Sequence, residues 1–286
     1  PADPRYTGEL LRGPIDPGGF LCYTPWAANY KVISNCQTIL SSADADAGAK
    51  GFAQTVNAYC LMRVLNLTDT NGARLNYDGD ITAAVATKAE VLAEVESLLD
   101  AGLANLNSAG SAFSFTLSSG FDGFNTPSTF SHFNRGLRAR AAVHQDDWST
   151  AQTALTACAD WMNSADGDVG VYHVFSSGAN DFDNAMYEAP DAATLKLMVH
   201  PTFLTDADEG DARVTNNVLV RSDTITYDGL QSYLAPTLYN SSYDPVPIMR
   251  AEELQLLQAE VHIGTGNYSG AETIMNTIRT AAGVAE

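Results

Sequence analysis

The sequence predicts a mainly α-helical protein made of antiparallel helix pairs and broken by one long irregular segment. Three observations carry that prediction. Apolar residues recur at steps of three and four along stretch after stretch, the spacing that builds one buried helix face. A helix-turn-helix pattern occurs twice: Val143-His144 is followed by Trp148-Ser-Thr-Ala151, and Val261-His262 by Tyr268-Ser-Gly-Ala271. Between the two copies, residues 165–246 lose the helical period and are rich in Gly, Asp, Asn and Pro.

Residues 1–23 are rich in Gly and Pro and read as irregular. A first helix is expected from about Pro25 to Leu40, with Trp26, Tyr30, Ile33 and Leu40 on one stripe beside Val32, Cys36 and Ile39. The small, acidic stretch Ser41–Gly48 is a turn. A second helix over about 49–67 carries Phe52, Val56, Cys60 and Val64 at steps of four. So short a connection makes the two antiparallel neighbours. Residues 66–80 form a polar loop. A third helix over about 84–104 carries Val91, Leu92, Val95, Leu98, Leu99 and Leu103. The segment 107–127 is a loop, and its aromatics Phe113, Phe115, Phe121 and Phe124 predict order, since disordered segments are poor in aromatics. Helices at about 128–144 and 148–163 form a further pair. In the repeat, an aromatic at the turn and a small alanine on the second helix allow close packing, the logic of tetratricopeptide-type repeats. The segment 165–246 reads as an insertion of loops and short strands, with β-like runs at Val171–Phe175 and Val218–Val220. Insertions of this kind on a rigid scaffold are where binding surfaces concentrate.

The chain has 286 residues, 45% of them hydrophobic, which is enough for a substantial core. Its formal net charge is −19, with 34 acidic against 15 basic residues, so a phosphate backbone would be repelled and nucleic acid is not an expected partner. No apolar run approaches the roughly 20 residues that span a bilayer. The four cysteines, Cys22, Cys36, Cys60 and Cys158, form no metal-ligand spacing. Cys36 and Cys60 lie in apolar helical stretches. They are expected as buried thiols, with a Cys36–Cys60 bridge the alternative in an oxidising compartment.

The order Pro247-Ile-x-Arg250-x-x-Glu253-x-x-Leu256-x-x-Ala259-Glu260, then Gly266-x-Tyr268-x-x-Ala271 and Asn276-x-x-Arg279, resembles the SusD/RagB family. Further blocks follow that family in sequence order: Gly51-Phe-Ala-x-Thr55 through Thr68-Asp69, Phe121 to Phe130 with Asn134-Arg135 and Ala139-Arg140-Ala141, Val171 to Ser176, Asp181-Phe-Asp-Asn184, and His200-Pro201 with Asp206 to Arg213. The resemblance implies a SusD-like helical fold with tetratricopeptide-type pairs, a single domain over 1–286 with the 165–246 insertion inside it. It implies a cell-surface lipoprotein of the outer membrane, lipid-anchored in its precursor. Such a protein captures a nutrient, usually a glycan, and delivers it to a TonB-dependent, SusC-like transporter. It also implies a chain that is partial at both ends, with the anchoring cysteine upstream and a further helix downstream.

No arrangement of residues reads as catalytic. There is no Gly-x-Ser-x-Gly, phosphate loop or His-Glu-x-x-His, and the five histidines are scattered. Arg250 and Glu253 are three residues apart and Glu260 lies two turns further on, so with Asn276 and Arg279 they are expected to form a structural polar network between the last two helices. The resemblance places ligand contacts in the loop after the second helix and in the insertion. The candidates are Asp69, Asn71, Arg74 and Tyr77 from the first, and Tyr172, Phe182 and Tyr187 from the second. No cofactor is expected. Calcium is the one ion for which clustered oxygens stand ready, at Asp206-x-Asp-Glu-x-Asp211 and from Asp69 and Asn71 to Asp78-Gly-Asp80, though neither has EF-hand spacing. The functional expectation is therefore a non-enzymatic glycan-binding protein. An α-helical carbohydrate-active enzyme and a helical-repeat protein-binding scaffold are the alternatives.

Overall fold

In the computed structural model, which describes residues 4–77, 79–80, 82–227 and 229–284, the apolar stripes of the long helices form in the expected order. The helices are α1 (Pro4–Arg12), α2 (Phe20–Ser41), α3 (Ala47–Thr68), α4 (Lys88–Ser108), α5 (Pro127–Val143), α6 (Trp148–Ala157), α7 (Ala159–Met162), α8 (Thr202–Thr205), α9 (Ala212–Asn217), α10 (Ala251–Gly264) and α11 (Tyr268–Ala281). Of these, α1 and the first turn of α2 occupy part of the stretch 1–23 expected to be irregular, and α8 and α9 are short helices inside the insertion. Among the described residues there are also the strands β1 (Gly170–His173), β2 (Val218–Tyr227), β3 (Leu230–Pro236) and β4 (Val246–Arg250). The sequence sets several ends locally. Asp46 accepts the amide of Ala49 at the start of α3, and Thr87 with Glu90 forms a capping box on α4. Thr126 and Thr129 cap α5 in the same reciprocal way, ahead of Pro127 in its first turn.

The chain folds as two compact units, one comprising residues 17–171 and 249–271, the other 1–16, 172–248 and 272–286. In the helical unit α2, α3, α4, α5 and α6 pack in succession, and α10 rests on α5, α6 and α7. The α3–α4 crossing is close because Gly51 faces Gly102. A methyl group on Gly51 would lie 2.7 Å from Leu106 and 2.9 Å from the Gly102 carbonyl. A polar network runs through this crossing. Buried Asn134 donates from Nδ2 to Thr55 Oγ1 (2.8 Å) and to the Leu99 carbonyl (3.0 Å), and its Oδ1 accepts from Arg135 Nε (2.9 Å). Arg135 continues to the same carbonyl (2.8 Å) and to Asp100 (2.9 Å). Burial of these groups is tolerated because each has partners.

The loop 109–126 is ordered for the reason its composition suggests. Phe52, Phe113, Phe115, Phe121, Phe130 and Phe133 stack with ring centroids between 5.0 and 6.3 Å apart. The repeat has a structural counterpart: the Trp148 indole lies on Gly264 at the end of α10, where a methyl group would sit 2.2 Å from its ring. Ala151 and Ala271 are both buried, whereas Tyr268, the counterpart of Trp148, is 69% exposed. Cys36, Cys60 and Cys158 are buried free thiols, and Cys22 is a half-buried one. The bridge between Cys36 and Cys60 does not form.

Among the described residues, Arg250, Glu253 and Glu260 do not share the polar network expected of them. Residues 246–250 form strand β4 rather than the first turn of a helix, because Pro245 and Pro247 hold the backbone extended. Arg250 therefore caps α10 from outside, with an extended backbone, and its guanidinium pairs with Asp168. Glu253 faces α5 and takes both ends of the Arg140 guanidinium, at 2.6 and 2.8 Å. Arg279 pairs with Asp208 at 3.2 Å, and Glu260 is exposed.

In the second unit β2 and β3 form an antiparallel ribbon from Val218 opposite Pro236 to Tyr227 opposite Leu230, with an irregularity between Val220 and Ile225. Leu195, Ile225 and Ala235 form its small core, with Met198 against it.

Candidate functional site

The insertion displays aromatic side chains on loops held by main-chain bonds. The Ser176 hydroxyl donates to Asp181 (2.6 Å) and accepts from the Gly178 amide (3.0 Å), and the Asp181 amide closes back on the Gly178 carbonyl (3.0 Å). The chain emerges from this turn at Phe182, which is 80% exposed. Two residues later Asn184 is buried. Its amide donates to the Ser242 carbonyl (2.7 Å), its Nδ2 to the Asp244 carbonyl (3.0 Å), and its Oδ1 accepts the Met186 amide (2.9 Å). This one side chain therefore fastens the loop of Phe182 and Met186 to the loop of Tyr243.

The second loop is braced by Asp244, whose carboxylate accepts the Ser241 hydroxyl and the Asn240 amide, each at 2.6 Å. Those bonds, the hydroxyl first, hold the carboxyl below the usual carboxylate range. The side chains of Phe182, Met186 (55% exposed) and Tyr243 (49% exposed) take no part in the bracing and are largely in solvent. Exposed apolar and aromatic side chains on ordered, mutually fastened loops are candidate interaction sites, and an exposed ring face suits the apolar face of a pyranose.

Of the residues expected from the insertion, Phe182 lies in this surface, while Tyr187 beside it is half-buried, its amide bonded to the Asn184 carbonyl (3.1 Å). Tyr172 is half-buried on β1. Tyr243, Met186 and the fastening role of Asn184 were not read from the sequence. The signal for the first was an aromatic among turn formers in Ser241-Ser-Tyr-Asp244.

The loop after α3 belongs to the other unit and is built differently. Asp69 ends α3 in a left-handed backbone, φ 44°, which costs a non-glycine residue about 1–3 kcal/mol and persists only when its surroundings fix it. Here the fixing partner is Lys88, whose Nζ donates to the carboxylate at 2.6 Å and, as the main cause, lowers its pKa. Asn71 is exposed in the single 3₁₀ turn that follows. Arg74 secures the loop. Its amide donates to the Tyr30 hydroxyl (2.7 Å), the hydroxyl donates to its carbonyl (2.9 Å), and its guanidinium reaches the Asp80 carbonyl. An Ala73–Ala86 bridge closes the loop. Tyr77 points inward, with a buried hydroxyl that has no hydrogen-bond partner among the described residues and a pKa raised by burial.

The acidic turns are already engaged. Asp211 accepts the Arg213 amide and guanidinium (2.7–2.9 Å), Asp208 faces Arg279, and Asp80 caps Thr82. Asp78 lies outside the described residues. Among those described, no three His, Cys, Asp or Glu side chains are grouped to hold a metal ion. No helix among them is long and apolar enough to cross a membrane.

No family model matches this sequence, and no curated protein matches it either. Solved structures do match its fold. A surface glycan-binding protein A from Bacteroides uniformis superposes on 92% of this chain and 66% of its own, with a TM-score of 0.66 and 15% identity. A SusD-like carbohydrate binding protein from Bacteroides vulgatus matches over 91% of this chain and 61% of its own (TM-score 0.61, 17% identity). A SusD/RagB family protein from Bacteroides thetaiotaomicron matches over 94% and 62% (TM-score 0.63, 15% identity). The fold is SusD-like, and the chain spans a little under two thirds of these structures.

Proposed function

We propose that this chain is a saccharide-binding protein of the SusD/RagB type, which holds a glycan on the exposed aromatic loops and does not hydrolyse it. The observation that carries the reading is the surface of Phe182, Met186 and Tyr243, fastened through Asn184, on a chain whose SusD-like fold spans more than nine tenths of its length. The proposal extends to the setting: the outer surface of an outer membrane, reached by a lipid anchor, with a TonB-dependent, SusC-like transporter as partner. A binding protein in that position must release its cargo, so the bound and released states have to differ in ligand affinity.

Retention on immobilised polysaccharides is the test of binding. At least one should retard the protein and none should yield new reducing ends. Phe182→Ala should reduce retention while leaving the melting temperature unchanged, because the ring is mostly in solvent. Released reducing ends would select the enzyme reading instead. For the partner, mild detergent extraction of the protein from its native membrane followed by mass spectrometry should recover a large β-barrel. Recovery without one under every extraction condition would overturn that part.

A further inference from the structure

The helical unit holds a cleft of about 160 Å³ where the C-terminal ends of α3 and α5 meet the start of α4. Its floor is apolar and buried, made by Met62, Leu65 and Leu92. Its rim is polar and accessible, made by Asn66, Asp69, Lys88 and His144. We propose that this cleft is a second saccharide subsite, one that takes a single pyranose ring. The inference rests on the saccharide-binding reading and adds a place to it.

Three features select that ligand class. The Asp69 carboxylate and the Lys88 ammonium, 2.6 Å apart, cancel each other's charge, so the rim favours a neutral guest over an anion or a cation. An ion pair, an amide and an imidazole together offer donors and acceptors at several points, which suits adjacent hydroxyls. A floor of one thioether and two leucines suits the C–H face of the same ring. Asp69 has a fixed role: its left-handed backbone, closing α3, sets its carboxylate on the rim against Lys88.

Two methionines report on the two places separately. Met62 is in the floor of the cleft and Met186 is on the aromatic loop. The protein would be labelled with ¹³C-methyl methionine and titrated with methyl glycosides of glucose, galactose, mannose and xylose, and then with oligosaccharides of each. The Met62 signal is assigned from Met62→Leu. The expected result is a saturable shift of the Met62 methyl with at least one methyl glycoside. Asn66→Trp, which fills the mouth, should abolish it. Asp69→Gly keeps the left-handed turn and should weaken it about tenfold, the worth of one hydrogen bond to a charged group. If Met186 responds and Met62 does not, the aromatic-loop reading stands and the cleft proposal falls. If Met62 responds equally in Asn66→Trp, the shift is transmitted from elsewhere and the proposal also falls. If neither methyl responds to any saccharide, both readings fail.

Discussion

Replacing Asn134 by alanine should destabilise the helical unit by about 3 kcal/mol. The Asn134 side chain joins three helices: it donates to Thr55 on α3 and to the Leu99 carbonyl on α4, and accepts from Arg135 on α5. The two neutral bonds are worth about 1 kcal/mol each. Their partners are not orphaned by the change, since Thr55 still donates to the Gly51 carbonyl and Leu99 still accepts from Arg135 Nη2. The Arg135 Nε is different: it is a charged donor that loses its acceptor in a buried place, at a cost of about 1–3 kcal/mol. The better helix propensity of alanine returns about 0.5 kcal/mol. Thr55→Val removes the acceptor of Asn134 and the hydroxyl's own bond to the Gly51 carbonyl, and should cost about 1–2 kcal/mol. Because both changes delete the same Thr55–Asn134 bond, the double variant should lose less than the sum. Urea unfolding followed by far-UV circular dichroism reads all three, provided the m-value is unchanged. A loss under about 1 kcal/mol for Asn134→Ala, or strict additivity in the double variant, would refute the reasoning.

Gly264→Ala should cost about 1–3 kcal/mol by overpacking, since the new methyl would meet the rigid Trp148 ring at 2.2 Å, and Trp148→Leu should recover part of it; thermal melts of the single and double variants check this. Arg140→Ala should lower stability by about 2 kcal/mol in a urea titration, and Arg140→Lys should not restore it, because only a guanidinium bonds both Glu253 oxygens. Burial pushes the Cys36 thiol up to about 11 and those of Cys60 and Cys158 up to about 12. In the folded protein at pH 8, a thiol reagent should therefore modify Cys22 alone, with the other three reacting only in denaturant, as counted by mass spectrometry. The raised values also set a sign: the neutral thiols stabilise the fold fully below the unfolded pKa of 9.0, and that contribution declines as pH rises from there toward 12.

The helices from α2 to α6 were legible because each buries a stripe against a neighbour close in sequence, and the stripe is written at a fixed period. The phenylalanines of loop 109–126 were legible as order, though not as one cluster around Phe52. What escaped depends on partners distant along the chain. Thr55 and Asn134 are 79 residues apart, Arg140 and Glu253 113 apart, and Asn184 and Asp244 60 apart. Helical spacing put Arg250, Glu253 and Glu260 on one face only under the assumption that the helix began before Arg250. Two prolines moved its start past Arg250, and although Glu253 and Glu260 still share a side of α10, among the described residues only Glu253 meets a partner there, Arg140 of α5. The ribbon of β2 and β3 was seen only as Val218–Val220, because the polar run Arg221 to Thr224 falls at its irregularity and hides the alternation. For the aromatic loops, Phe182 was legible as a residue type, but exposure of the ring follows from a turn and an amide that no local pattern announces.

The division of labour around Asn184 has a consequence for how such a surface changes over generations. The loops are held by backbone amides, backbone carbonyls, Asn184, Asp181, Asp244 and two serines, none of which is an exposed ring. Phe182, Met186 and Tyr243 can therefore be exchanged for other side chains at little structural cost, and each exchange alters what the surface recognises. Selection on diet or habitat can act on these positions independently of selection on folding. On the saccharide-binding reading proposed above, single substitutions there would shift the preferred ligand without passing through an unfolded genotype, for as long as Asn184 is kept.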